Sequence, residues 1–345
     1  LAGAKSLNFS DFAPALVDIH LFETFFDSVL WNPRGSLTLD ALTPQSAAVA
    51  VKKTHSKMNT NTAVLHAARN PLAQIWTWFL KDARHFQILS LSTFLCYGIL
   101  QLGWNTNLDR ILITFGTCLV TQLFWIKWSG APWHSLKSAM ISSLGLCLLL
   151  KTNLLTTAII AGILTISSKF IIQFDRKHIF NPVNFGIIAT VMLTGDAWVS
   201  PGQWGSSFTT LFFVGAAGLM VLLKCGRIDI SLAFIVSYYG LEFTRSALWL
   251  GWPIDHFGHM VTNGALLLFT FFMITDPVTT PNHPKARIAW AVMVGLLTFG
   301  LNHIFILNSG APIWALFIIS PLTLVFDKFF KAQKFAWFPS TKVQA

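Results

Sequence analysis

The sequence predicts an all-α, polytopic membrane protein of about ten transmembrane helices, some of them broken. Three observations carry the membrane reading. The chain of 345 residues is 54% hydrophobic and only 11% charged, with a mean hydropathy of +0.59; an ordinary soluble domain carries roughly 25% charged residues. From residue 86 onward, apolar segments follow one another at 86–104, 111–127, 136–150, 153–168, 182–195, 208–223, 229–241, 258–275, 287–303 and 311–326. Most of the 24 Lys and Arg residues then gather on alternate links between those segments.

Taken in order, residues 1–57 show no steady period and lack the basic start, compact apolar core and cleavage site of a signal peptide. They read as an extension, disordered or the product of a misplaced start. Residues 58–85 form a cytoplasmic lead-in, 86–330 the ten-helix membrane domain, and 331–345 a cytoplasmic tail. Several of the apolar segments fall short of the ~20 residues that a straight spanning helix needs. Short or Gly/Pro-interrupted spans are what broken helices look like in a transporter-like bundle, and 182–195, which follows Asn181, is the clearest case. The segment 229–241 is interrupted by Glu242 and Arg245, so it reads as a short span followed by an interfacial helix ending at Trp249, Trp252 and Pro253.

The charges orient this series. Lys127 and Lys137, Lys169 with Arg176 and Lys177, Lys224 with Arg227, Lys285 with Arg287, and Lys328 onward fall on one set of links. The opposite links hold Arg110, Lys151 and Arg245. By the positive-inside rule the first set is cytoplasmic, with both termini on that side of a bacterial inner membrane. The formal charge of +10 therefore reads as membrane orientation rather than nucleic-acid binding. The four cysteines, Cys96, Cys118, Cys147 and Cys225, show no paired metal-ligand spacing and read as small apolar residues. A Gly-rich phosphate loop and a Ser/His/Asp constellation are both absent from the sequence.

Two breaks on the cytoplasmic side carry the functional reading: "FNPVN" at 180–184 and "TDPVTTP" at 275–281. Each sets a short polar side chain before a proline and another two residues after it. Proline removes a backbone donor and disfavours helix at the preceding residue, while Asn, Asp and Thr bond the loosened backbone groups. Irregular backbone at membrane depth survives only when buried in protein or lining a cavity. Asn181, Asn184, Asp276 and Thr279 are accordingly the candidate cofactor-binding residues, and two capped helix ends are the plainer account of the same pattern. On the other side, "GDAWVSPGQWGSSFTT" at 195–210 reads as an ordered turn at the outer interface.

Other polar features are weaker. Asp255, His256 and His259 open the eighth segment, and a haem between them and a facing helix would need His303; interfacial histidines are the simpler reading, and no metal residue is assigned. Asp229, Glu242 and Asp276 all read as lying near segment ends, which weighs against a stand-alone proton-driven pump. Gln122, Thr262 and Asn263 line a cavity or bond helix to helix.

The stretches "HIFNPVNFG", "AWVSPGQWG" and "FFMITDPVTTP", within residues 78–330, resemble the membrane subunit family that includes the D subunit of the Rnf electron-transport complex and the B subunit of the sodium-pumping NADH:quinone oxidoreductase. Within it the sequence looks most like the enediyne biosynthesis protein UnbU branch. The resemblance implies an integral subunit of an Rnf/Nqr-like, ion-translocating electron-transport system, with the lipid bilayer and other membrane subunits as partners and the NADH chemistry located elsewhere. It also implies the family's fold, two inverted five-helix halves with broken helices, and it implies flavin. The family's covalent FMN sits on the threonine of a Ser-Gly-Ala-Thr motif in an outward loop, but the matching loop here reads "GSSFTT", ending in Thr209 and Thr210, and "SGAP" at 129–132 has proline in place of threonine. The expectation is FMN or riboflavin held noncovalently near Asn181, Asn184, Asp276 and Thr279. The alternatives are a transporter for a small planar molecule and a structural membrane partner without redox activity.

Overall fold

The structure, a computed structural model, describes residues 82–104, 108–199, 208–304 and 310–337. The extension 1–57, most of the 58–85 lead-in, the centre of the 195–210 loop and the end of the 331–345 tail lie outside the described residues. Each of the apolar segments contains helix: α1 Ala83–Leu100, α2 Leu108–Ser129, α3 Leu136–Leu149, α4 Leu155–Ile171, α5 Pro182–Thr194, α6 Phe208–Cys225, α7 Ile228–Phe234, α8 Gly240–Phe243, α9 Ile254–Val261, α10 Gly264–Leu268, α11 Pro284–His303, α12 Ala311–Ile319 and α13 Leu322–Phe329.

Among the described residues, α2 and α11 are each long and apolar enough to cross a membrane, and α12 with α13, bent by 47°, would make one more. The remaining helices are shorter, and the causes are local. Asn181 caps α5, its Oδ1 accepting from the Val183 and Asn184 N–H groups at 3.0 and 3.2 Å, with Pro182 in the first turn. Asn263 caps α10 in the same way, splitting the 258–275 segment in two.

One element departs from the sequence reading. Instead of a short span and a separate interfacial helix, α7 continues without interruption through a π-helical turn Ile235–Tyr239, then α8, then a second π turn Thr244–Trp249. Glu242 is therefore inside a helix and 2% exposed. The extra residue of each π turn shifts the helix face, so a charge that an α-helical period sends to lipid or water is brought inward.

Helix pairing runs in the same order twice. In the first part, α1 packs on α3, α2 on both α3 and α4, and α4 on α5; in the second, α6 packs on α10, α7 on α11, and α11 on α12. Across the two parts α1 meets α6 and α5 meets α12. Small residues allow the closest approaches: a Cβ on Gly186 of α5 would stand 1.7 Å from the Thr165 hydroxyl of α4, and one on Gly295 of α11 would stand 2.1 Å from the Ser237 hydroxyl.

The links sort onto two faces. On one, β1 (Leu150–Thr152) pairs antiparallel with β4 (Ala197–Val199), and Asp196 ties the two links by accepting from Asn153 Nδ2 (2.9 Å), the Leu154 N–H (2.9 Å) and Thr157 Oγ1 (2.7 Å). Those bonds hold its carboxyl below the ordinary carboxylate range. Arg110 donates to the backbone of Thr152 and Asn153 there. On the opposite face, the hairpin of β2 (Gln173–Phe174) and β3 (Lys177–His178) meets the 274–283 link and α13. Lys177 Nζ lies 2.6 Å from the Thr280 carbonyl and 2.5 Å from Asp327 Oδ2, and Asp327 Oδ1 accepts from the Asn282 N–H at 2.8 Å. Arg287 pairs with Asp229 at 2.7 Å, and Arg84 and Lys137 both pair with Asp82, at 2.8 and 3.0 Å. The links that the charge pattern grouped together thus share a face, where their cations meet buried carboxylates and backbone carbonyls.

Candidate functional site

Both breaks end at one cavity of about 430 Å³, which opens toward the basic face. That volume falls in the roughly 300–1,000 Å³ range of small-molecule sites. Its walls are mainly apolar, with side chains such as Leu91, Leu148, Val183, Phe272 and Met273. A small set of polar groups interrupts them.

The proline notches meet here. Asn181 Nδ2 lies 3.3 Å from Asp276 Oδ2 and 3.3 Å from the Met273 carbonyl, so one side chain caps α5 and also bonds the end of the π-helical turn Phe269–Met273 that continues α10. Asp276 Oδ1 accepts from the Val278 N–H at 3.1 Å, and its carbonyl accepts from Thr279 and Thr280 N–H at 3.2 Å each. The acid thus turns the chain, and it also presents a carboxylate to the cavity. Burial pushes that carboxyl above its ordinary value, and the Val278 N–H and the positive Lys169 only partly offset this.

The other two sequence-derived candidates do not line the cavity. Asn184 is fully buried one turn into α5, and its Nδ2 donates to the Ile313 carbonyl of α12 at 2.8 Å, while its Oδ1 is left without a partner. Thr279 is buried behind the turn, its hydroxyl 3.4 Å from the Asp276 carbonyl. Both support the breaks rather than the chamber: Asn184 joins the two parts of the bundle and Thr279 stiffens the 276–280 turn.

The remaining polar lining comes from positions remote in sequence. Lys169, 5% exposed near the end of α4, donates to the carbonyl and hydroxyl of Ser138 at 3.1 and 3.2 Å. Gln122 of α2 bonds Ser135 through Nε2 at 3.0 Å and leaves Oε1 buried without a partner. His178, at the end of β3, leaves Nδ1 buried without a partner. Burial, and then the positive charge of Lys169, pushes its imidazole down to about 4. The cavity therefore offers an ammonium, a carboxylate and two unpartnered groups, an amide oxygen and a neutral imidazole nitrogen. That donor set suits an uncharged or weakly anionic polar ring with several hydrogen-bonding edges.

The mouth is crossed by the chain after α13. Trp337 lies under the Arg84 guanidinium at 5.1 Å and Phe335 under that of Arg227 at 5.3 Å, and both aromatic rings line the cavity. Lys334 is ion-paired with Asp175 of the hairpin turn. Sequence reading assigned this stretch to a cytoplasmic tail; the alternation of basic and aromatic residues in "KAQKFAW" was the available signal.

The distal histidines stay apart from this chamber. His256 contacts Trp252 edge-on at 4.6 Å, and His303 bonds Glu242 rather than a partner histidine. Among the described residues, no group of three or more His, Cys, Asp or Glu side chains could hold a metal ion.

Comparison with known proteins agrees with this geography. Residues 181–336, which begin at the capping asparagine and run through both breaks to the mouth of the cavity, match the NQR2, RnfD, RnfE family. A stretch of 120 residues is 33% identical to the D subunit of the ion-translocating oxidoreductase complex of Erwinia tasmaniensis. That stretch is 34% of this chain and spans 30% of the relative's length. The part of the chain that holds its two notched helix ends, residues 181–336, is thus similar to the NQR2, RnfD, RnfE family.

Proposed function

We infer that this chain is an integral subunit of an ion-translocating electron-transfer complex in a bacterial inner membrane, and that its cavity holds a flavin, FMN or riboflavin, without a covalent bond. The observation that carries the reading is the contact between Asn181 and Asp276, which gathers both notched helix ends at a chamber of about 430 Å³. The residues present fit a planar ring with polar edges. Gln122 Oε1 and His178 Nδ1 are buried polar atoms in want of partners, Asn181 and Asp276 line one wall, and Phe335 and Trp337 offer flat faces at the mouth. A bound flavin would supply one- and two-electron redox chemistry. The chain's own part is to bind and orient the ring, exclude water from it, and set its electrostatics through Lys169 and Asp276.

The repeated pairing of α1–α5 and α6–α12 supports ten spans in two inverted halves, the shorter helices crossing as broken or tilted elements within the bundle. The gathering of Lys137, Lys177, Arg227 and Arg287 on one face supports a cytoplasmic mouth, with both termini on that side. Proline at position 132 and the "GSSFTT" loop at 205–210 in place of the family's threonine motif support noncovalent attachment. The relative's assignment to a complex supports other membrane subunits as partners.

The test is the absorption and fluorescence of the chain purified from its native membrane. Flavin is expected to co-purify near one equivalent and to leave entirely on denaturation, in the parent and in Thr209→Ala and Thr210→Ala alike. Protein free of flavin when purified in mild detergent with its partners would count against the reading. Flavin that stays with denatured parent protein but not with either variant would overturn the noncovalent part.

A further inference from the structure

A second buried polar cluster lies away from the cavity. Glu242, 2% exposed, receives His303 Nε2 at 2.9 Å from each carboxylate oxygen. Tyr238, one turn earlier on the same helix and 3% exposed, stands beside Glu242, and its hydroxyl accepts from Asn302 Nδ2 at 2.8 Å. Asn302 Oδ1 is buried without a partner. His303, Glu242, Tyr238 and Asn302 thus form one connected chain of polar groups between α11 and the 228–249 helix.

Its position is informative. α11 begins at Pro284, beside the cavity-side link, and ends at His303 after 20 residues, about 30 Å at 1.5 Å per residue. The cluster therefore lies toward the face opposite the cavity mouth. Among the described residues, the other ion pairs, those of Asp82, Asp175, Asp229 and Asp327, all sit on the cavity face. The imidazole is the gateway, with its side chain 26% exposed while that of Glu242 is 2% exposed. Both turns flanking Glu242 are π-helical, Ile235–Tyr239 and Thr244–Trp249, a distortion that recurs at functional sites and turns the acid inward here.

We propose that Glu242 and His303 form a proton-exchange site that opens toward the membrane face opposite the cavity, with Tyr238 and Asn302 extending its hydrogen-bonded path inward. A lone carboxylate at this depth is costly. With His303 neutral and its proton on Nε2, the pair carries the single negative charge of Glu242, and one added proton brings the net charge to zero. In the loading step, His303 gives its Nε2 proton to a Glu242 carboxylate oxygen and takes one at Nδ1 from a hydronium ion, which leaves as water, so a neutral acid stands beside a neutral imidazole. Unloading reverses both transfers, and no oxidant or metal is needed. The imidazole on both oxygens favours a proton over a metal cation, which would compete with a charged histidine for the same carboxylate. The other titratable groups toward this end of the packed elements are Tyr238, Tyr239 and Arg245 on the same helix and Asp255, His256 and His259 on α9, while Asp229, Lys285 and Arg287 lie at the far, cavity-side ends of the 228–249 helix and α11. The Arg245 guanidinium lies over the Trp252 ring at 5.9 Å.

The test is infrared difference spectroscopy of the full chain in detergent, titrated across about pH 5 to 8, where histidine pairs exchange protons, in light and heavy water. A carboxylic acid carbonyl band is expected to rise on acidification, to shift on deuteration, to vanish in Glu242→Gln and to move its midpoint in His303→Gln. His303→Gln keeps a side-chain donor, so a folded protein remains even where Glu242→Gln fails. A parent spectrum without that band, with Glu242 ionised throughout, would make the pair a static brace and overturn the proposal. So would a carboxylate band that responds to sodium at constant pH and not to acid. The site stands or falls independently of flavin binding, because neither readout involves the cavity.

Discussion

Asn181 Nδ2 and Asp276 Oδ2 lie 3.3 Å apart although 95 residues separate them in the chain. This contact fastens the start of α5 to the chain just past the π-helical turn that continues α10 and closes one wall of the cavity. The bond should therefore show as a coupling in a double-mutant cycle. Asn181→Ala and Asp276→Ala are each expected to lower the thermal midpoint of the detergent-solubilised chain. Their combined effect should fall short of the sum by about 1 kcal/mol, the usual net value of a buried hydrogen bond. Asp276→Leu should likewise lower the midpoint, because it too leaves the Val278 N–H unpaired. Strict additivity would mean that the notches stand independently.

His178 should make the fold sensitive to mild acid. Its folded value, about 4, lies below its ordinary 6.5, so between those pH values the unfolded chain binds more protons. The stability that depends on neutral His178 is present above pH 6.5 and is lost as pH falls toward 4. His178→Asn should flatten that part of the midpoint-against-pH curve relative to the parent. Parallel curves would show that the imidazole does not remain neutral in the fold.

Much of this could be read in the residues beforehand, and the parts that could not share a cause. Proline after Asn181 and after Asp276 marked both breaks, and the alternation of basic links grouped those that now share a face. Local chain chemistry sets both features, so both are visible locally. Asn184 and Thr279 carried the same signature as their neighbours, but which way each points depends on α12 and on the 276–280 turn. Lys169, Gln122 and His178 reach the chamber because helices far apart in sequence pack there, and no short window contains that information. The 228–249 helix was divided in two because the charges of Glu242 and Arg245 interrupt the apolar run, whereas the helix continues past them through two π turns.

The α4–α5 contact should tolerate no added volume. Gly186→Ala places a methyl where the Thr165 hydroxyl now stands, and overpacking of this kind costs about 1–3 kcal/mol. Adding Thr165→Ala should recover part of the loss. A Gly186→Ala chain as stable as the parent would show that the two helices separate freely.

Sidedness can be read with single cysteines in a Cys96→Ser background. Trp198→Cys on β4 should react with an impermeant maleimide added outside intact cells, while Lys285→Cys at the start of α11 should react only after the membrane is opened. Both native side chains are exposed. The reverse pattern would invert the orientation.

The cavity's first lining residue is Arg84 and its last is Trp337, about 250 positions later. At about 5–20 residues per second of synthesis, the earliest wall waits tens of seconds for the final one. Until then the chamber has no outer rim and retains nothing. Loading of the proposed flavin would therefore be an event of the finished chain, after the ribosome has passed Trp337, and a nascent or shortened protein that stops before Phe335 would reach the bilayer with its chamber unroofed.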